Sequence, residues 1–118
     1  MSSIAQQRID AWREQVQDWH PTPARLETAA YLVTEAAEAL DAVLRLEAPN
    51  HDRTNGHHLK AGLEREIGQT LDMLLTLANL YGIDAHAAMY DWMGEVDGRN
   101  PALRAAGHDP IGVIPGGD

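Results

Sequence analysis

Apolar side chains recur along this chain at steps of three and four rather than in the alternation of a strand, and they divide it into four helical stretches. Ile9, Trp12, Val16 and Trp19 mark an amphipathic helix over about residues 3–19, with a Trp-bearing face, and "HPTP" stops it. Thr22 and Pro23 form a good N-cap and N1 pair. They open a second helix over about residues 23–47, striped by Leu26, Ala30, Val33, Ala37, Leu40 and Leu44. Residues 48–58, "APNHDRTNGHH", lack periodicity and are dense in turn formers, which predicts a loop. Its histidines, His51, His57 and His58, have no fixed helical spacing, so a solvated loop is the preferred reading over a metal site. Leu59, Leu63, Ile67, Leu71, Leu74, Ala78 and Tyr81 predict a third helix over about 59–81, closed by Gly82 as a C′ residue. Asp84 can cap a shorter fourth helix over about 85–95, carrying Ala88, Met89, Trp92 and Met93. Residues 98–118 are too rich in Gly and Pro for regular structure, and are expected to form an irregular tail on the surface or on a neighbouring subunit.

Composition narrows this pattern to one class. A chain of 118 residues reads as a single domain, 1–118, and its Ala and Leu content with no Phe favours an all-α fold. The absence of cysteine excludes disulfides, thiolate metal sites and a cysteine nucleophile. A net charge of −9 opposes nucleic-acid binding through a basic surface, and means that a polyanionic ligand needs metal ions to approach. No apolar run has the length of a signal-peptide core or the roughly 20 residues of a membrane span, so a cytoplasmic protein with no membrane partner is the default. Apolar residues cover more than half the circumference of the second and third helices. One hairpin cannot cover them, so a homodimer or homotetramer is expected.

One stretch breaks the pattern. In "EREIGQTLDMLL", with Leu63 at zero on a helical wheel, Glu66 falls at about 300°, inside an apolar arc that includes Met73 and Leu77. An ionised carboxylate buried there must be protonated, paired or bound to a cation. Gln69 lies at the edge of the arc, at about 240°, and Asp72 on the polar side, at about 180°. On the second helix Glu35 and Glu38 stand one turn apart, a spacing that means little alone. An antiparallel hairpin of the two helices would bring Glu66 towards them, and three carboxylates in one cleft are the oxygen ligands Mg²⁺ prefers.

"EAAE" (Glu35, Glu38), a 27-residue spacer, "EIGQ" (Glu66 to Gln69) and the continuation "LLTLANLYGID" resemble the MazG-like all-α nucleoside triphosphate pyrophosphohydrolases, a family that includes dimeric dUTPases and dCTP pyrophosphatases. The similarity spans roughly residues 16–104, and "DW" (Asp18, Trp19) and "GRNPA" fall where relatives have an aromatic residue and a basic residue before a proline. The resemblance implies a helical unit assembling as a dimer or dimer of dimers. It also implies a hydrolase that converts a nucleoside triphosphate to the monophosphate and pyrophosphate, cleansing the nucleotide pool. On that basis Glu35, Glu38, Glu66 and Gln69 are expected to hold Mg²⁺, or Mn²⁺, with Glu35 or Glu38 helping to orient or deprotonate the attacking water. Arg99 and Arg104 are expected on phosphate oxygens, and Trp19 and His20 at the base.

The sequence also departs from the family pattern. Gln69 stands where the family has an Asp ligand, which removes one negative charge and offers a poorer Mg²⁺ ligand, so at least one metal site is expected to be weak. Thr34 replaces a residue that is often acidic, and Trp92 and Val96 stand where many relatives carry a Lys and an Asn that contact phosphate. A second expectation is therefore a catalytically weak or inactive helical protein that keeps the fold and binds nucleotide. A third, a plain bundle with solvated acids, conflicts with the position of Glu66.

Overall fold

The computed structural model describes residues 2–48 and 56–99, with no side-chain description for residues 56 and 57. The fold class is all-α: four helices and, among the described residues, no strand. Helix α1, Ile4–Val16, opens with a capping box in which the Ser3 hydroxyl accepts from the Gln6 amide and the Gln6 side chain accepts from the Ser3 amide. It ends three residues before the expected boundary, where the amides of Trp19 and His20 both turn back to the Val16 carbonyl.

Helix α2 runs Arg25–Glu47, and its N-cap is Ala24, without a side-chain cap bond. The expected Thr22 cap does not form, because the Thr22 amide and hydroxyl both donate to Gln17 Oε1 across the α1–α2 turn. The Thr28 hydroxyl instead reaches back to the carbonyls of Pro23 and Ala24. Helix α3, Gly56–Leu80, starts earlier than periodicity suggests and takes residues 56–58 out of the expected loop. Residues 49–55 and the tail from residue 100 lie outside the described residues.

The α3–α4 corner follows the sequence closely. Gly82 adopts φ 65°, the left-handed conformation a side chain resists, while its amide donates to Asn79 and that of Ile83 to the Ala78 carbonyl at 2.9 Å. Asp84 then accepts from the Ala87 amide and starts α4, Ala85–Gly98, which runs three residues past its expected end.

α2 packs on α3 as an antiparallel hairpin, and α1 lies against α3, whereas α4 makes only sparse contact with the other helices. The Arg25 guanidinium at the start of α2 stacks on the Tyr81 ring beyond the end of α3, and residues 38–45 flank the opposite end of α3. Two polar networks tie α1 down. Gln6, fully buried, donates to Asn79 Oδ1 and the Ile83 carbonyl and accepts from the Ala85 amide, joining α1 to the corner. Arg13 donates through Nη2 to both oxygens of Asp72, at 2.8 and 2.9 Å, and through Nε to the Thr76 hydroxyl.

The face that α2 buries is not the one its larger residues mark. Thr28, Leu32, Glu35, Ala39, Ala42 and Leu46, spaced four and three, turn towards α3, while every large member of the expected stripe, from Leu26 to Leu44, is exposed. Leu26 is 84% exposed and Val33 70%. On α3 the inward positions are Leu59, Gly62, Glu66, Gln69, Met73, Thr76 and Leu80, and the expected core residues Ile67, Leu71 and Leu74 are about half exposed. Ala78 alone of that set is buried. The reason is geometric: each long helix carries two apolar faces, and one chain supplies a neighbour for only one of them. Among the described residues, just two apolar side chains, Val16 and Ala78, are buried. No described helix is long and apolar enough to cross a membrane.

Candidate metal centre

Glu35 occupies an inward position of α2 and Glu38 follows one turn on, at the margin of the same face. Glu66 occupies an inward position of α3 directly across the hairpin. Backbone geometry therefore delivers three carboxylates to one point, and one oxygen from each lies within 4.8 Å of the others. Opposite ligands on Mg²⁺ stand about 4.2 Å apart, and on Ca²⁺ about 5 Å, so a small side-chain adjustment closes this set on a hard divalent cation.

The electrostatics agree with that fit. The carboxyl of Glu35 is held above its ordinary value, first by partial burial and then by the charge and close carboxyl of Glu38. Glu66 is raised too, by partial burial and then by the adjacent Glu38 and Glu35 carboxyls. Three carboxyls this close repel one another when ionised, a strain that protonation or a bound cation would relieve.

Gln69, one turn beyond Glu66, completes the cluster. The far end of its side-chain amide lies 2.9 Å from Glu66 Oε2 and 2.9 Å from Glu35 Oε2, and assigning nitrogen to that end gives a donation to each carboxylate. Asp72, one further turn on, belongs to a different group. Arg13 holds both its oxygens, which agrees with its placement off the Glu66 arc on the helical wheel.

Two clefts flank the acids along the hairpin. One, of about 430 Å³, is lined by Arg13, His20, Tyr31, Glu35, Gln69 and Asp72 among others. The other, of about 300 Å³, lies beyond Glu38 and Glu66 and carries Arg45 and His58. The acids thus lie between an aromatic-edged cleft and one in which Glu38, Asp41 and Glu66 face Arg45 and His58, with Arg45 paired to Asp41 at 3.1 Å.

The remaining expected site residues are dispersed. His20 lines the larger cleft and its ring lies 5.7 Å from that of Trp12. Trp19 is 75% exposed, stacks loosely on His20, and does not line the cleft. Arg99, at the end of α4, is exposed, pairs with Glu95 and stacks on Trp92, and it borders neither cleft. Arg104 lies outside the described residues. The Thr34 hydroxyl bonds back to the Ala30 carbonyl on the exposed side of α2. Tyr31 and Arg13, both wall residues, carry signals the sequence offered: Tyr31 stands one turn before Glu35, and Arg13 is a cation at the edge of the apolar stripe of α1, one turn after Ile9.

Fold and site together define a helical hairpin that concentrates carboxylates between two clefts. Compared with protein-family models, curated proteins and solved structures, the chain finds no match in any of the three.

Proposed function

We propose that this protein is a Mg²⁺-dependent nucleoside triphosphate pyrophosphohydrolase of the MazG-like all-α type. The observation that carries the reading is the convergence of Glu35, Glu38 and Glu66 from two helices on one point, with the Gln69 amide beside them. An ion held there supplies charge neutralisation for a triphosphate and lowers the pKa of a bound water. The three carboxylates would hold that ion, Mg²⁺ or Mn²⁺, and Glu35 or Glu38 would help to orient or deprotonate the attacking water. In this reading the cleft with Tyr31 and His20 receives the base.

The working form is a homodimer or homotetramer. The outward stripes of α2 and α3, including Val33, Leu40, Leu44, Ile67 and Leu71, expose apolar surface that a second copy covers, each large side chain, already partly covered, contributing about 1–2 kcal/mol on burial.

The test is pyrophosphate release from a panel of nucleoside and deoxynucleoside triphosphates with Mg²⁺ or Mn²⁺. Release that requires the ion and disappears in Glu38→Gln is expected. If no nucleotide in the panel is turned over, the enzyme reading fails. A second reading, a nucleotide-binding protein without turnover, is favoured by one feature, Gln69 at the acidic position of the family pattern. It predicts that a nucleotide binds without being cleaved, and that Glu66→Gln leaves metal-free nucleotide affinity nearly intact.

A further inference from the structure

Asp72 stands on the wall of the larger cleft but outside the acidic cluster, beside the rings of His20 and Tyr31 and the side chain of Met73. We infer that Asp72 is the specificity residue of this cleft: its carboxylate accepts a hydrogen bond from the exocyclic amino group of a cytosine or adenine base and rejects bases with an oxo group at that position. The inference rests on the proposal that this cleft receives a nucleobase, and deepens it by naming the class of base.

Counting hydrogen bonds leaves Asp72 with an acceptor to spare. A carboxylate offers about four lone-pair positions. Oδ1 accepts from Arg13 Nη2 at 2.8 Å and from the Thr76 hydroxyl at 3.1 Å, and Oδ2 accepts from Arg13 Nη2 at 2.9 Å. One position on Oδ2 is left over among the described residues. The Asp72 side chain is 22% exposed and that of Arg13 only 6%, with Nη2 and Nε of Arg13 turned on Asp72 and Thr76. The wall therefore offers the cleft an oxygen acceptor, already held in place by its own bonds, more than it offers the cation behind it.

The edges of the bases respond to that acceptor in opposite ways. Cytosine and adenine present an amino donor where uracil and hypoxanthine present a carbonyl oxygen. Against Oδ2 the amino group gains a bond to a charged acceptor, whereas the carbonyl sets acceptor against acceptor and leaves both without a donor. The ring N3–H of uracil offers no escape, because carbonyls flank it on both sides and one of them would lie against the same carboxylate. Flat rings suit the aromatic and thioether wall, and a cleft of about 430 Å³ has room for a nucleoside.

The experiment uses the full chain without metal and two pairs of nucleosides, cytidine with uridine and adenosine with inosine, with affinities measured by calorimetry. Within a pair the amino member is expected to bind about 10- to 100-fold more tightly, the range for a hydrogen bond to a charged group. Equal affinities, a preference for the oxo member, or no binding of any of the four at millimolar concentration overturns the inference. In Asp72→Asn, whose amide can meet either edge, the two members are expected to bind alike. A preference retained by a folded Asp72→Asn also overturns it, and if that variant does not fold the wild-type comparison decides. Triphosphates with Mn²⁺ separate this inference from the enzyme reading. An amino preference in binding with no pyrophosphate release sustains the inference and removes the enzyme, while release from cytidine and uridine triphosphates at equal kcat/KM keeps the enzyme and removes the inference.

Discussion

Arg13→Met offers a sharp test of how the site is walled. The substitution keeps the aliphatic stem and deletes the guanidinium that holds Asp72 at 2.8 and 2.9 Å and Thr76 at 3.3 Å. At 2.8 Å and an effective dielectric constant of about 20, the ion-pair attraction alone is about 6 kcal/mol. Much of that is recovered when Arg13 is removed, because the Asp72 side chain is 22% exposed and rehydrates. The net cost is therefore expected at about 3 kcal/mol, the low end of the roughly 3–5 kcal/mol seen when a buried pair loses one partner. In a melt this corresponds to a fall of roughly 10 °C or more. Asp72→Leu should cost more, since the Arg13 side chain is only 6% exposed and its charge would be stranded. The double variant Arg13→Met/Asp72→Leu should return to within about 1 kcal/mol of the wild type, as replacing a whole buried pair by apolar groups often does. Urea unfolding of the metal-free protein at fixed chain concentration measures all three. A single-variant cost below about 0.5 kcal/mol, the size of a neutral surface change, or a double variant equal to the sum of the singles, would refute the claim that this pair fastens α1 to α3.

Three further outcomes follow from the same geometry. Mg²⁺ or Mn²⁺ should raise the melting temperature in proportion to the logarithm of its concentration, and Glu66→Gln should abolish most of that response; a variant responding like the wild type would remove Glu66 from the site. In the metal-free protein Glu35 and Glu66 hold protons above their ordinary value of 4.5, so between that value and their raised folded values the native state binds more protons than the unfolded chain. Their contribution to stability should fall as pH rises through that window and then level off, while Mg²⁺ affinity climbs across it, which melts and metal titrations at stepped pH will show. Leu40→Glu, in the middle of the outward stripe of α2, should shift sedimentation equilibrium towards the monomer; an unchanged mass would place the subunit contact elsewhere.

Helix number, order and punctuation are legible in the sequence because they depend on local chemistry. Gly82 supplies a positive φ at low cost and Asp84 supplies an acceptor to the next amides, so the α3–α4 corner can be read directly. Thr22 misleads for the opposite reason: a good capping side chain is captured by Gln17 from just beyond the preceding helix, a partner that residue spacing does not reveal. The conspicuous Leu and Val stripe of α2 misleads as well. Size and hydrophobicity mark which faces are apolar, but not which apolar face meets a helix of the same chain, and here Ala39 and Ala42 lie inward while Leu40 and Leu44 lie outward.

For the site, the sequence by itself determined that Glu66 breaks an apolar arc and that Glu35 and Glu38 lie one turn apart, since both facts need only the pitch of a helix. Only the tertiary structure decided that the three carboxylates meet within 4.8 Å, that Asp72 is held by Arg13 away from them, and that the Gln69 amide spans Glu35 and Glu66. Each of these depends on the register of one helix against another. Register is set by packing between residues dozens of positions apart, which no local spacing records.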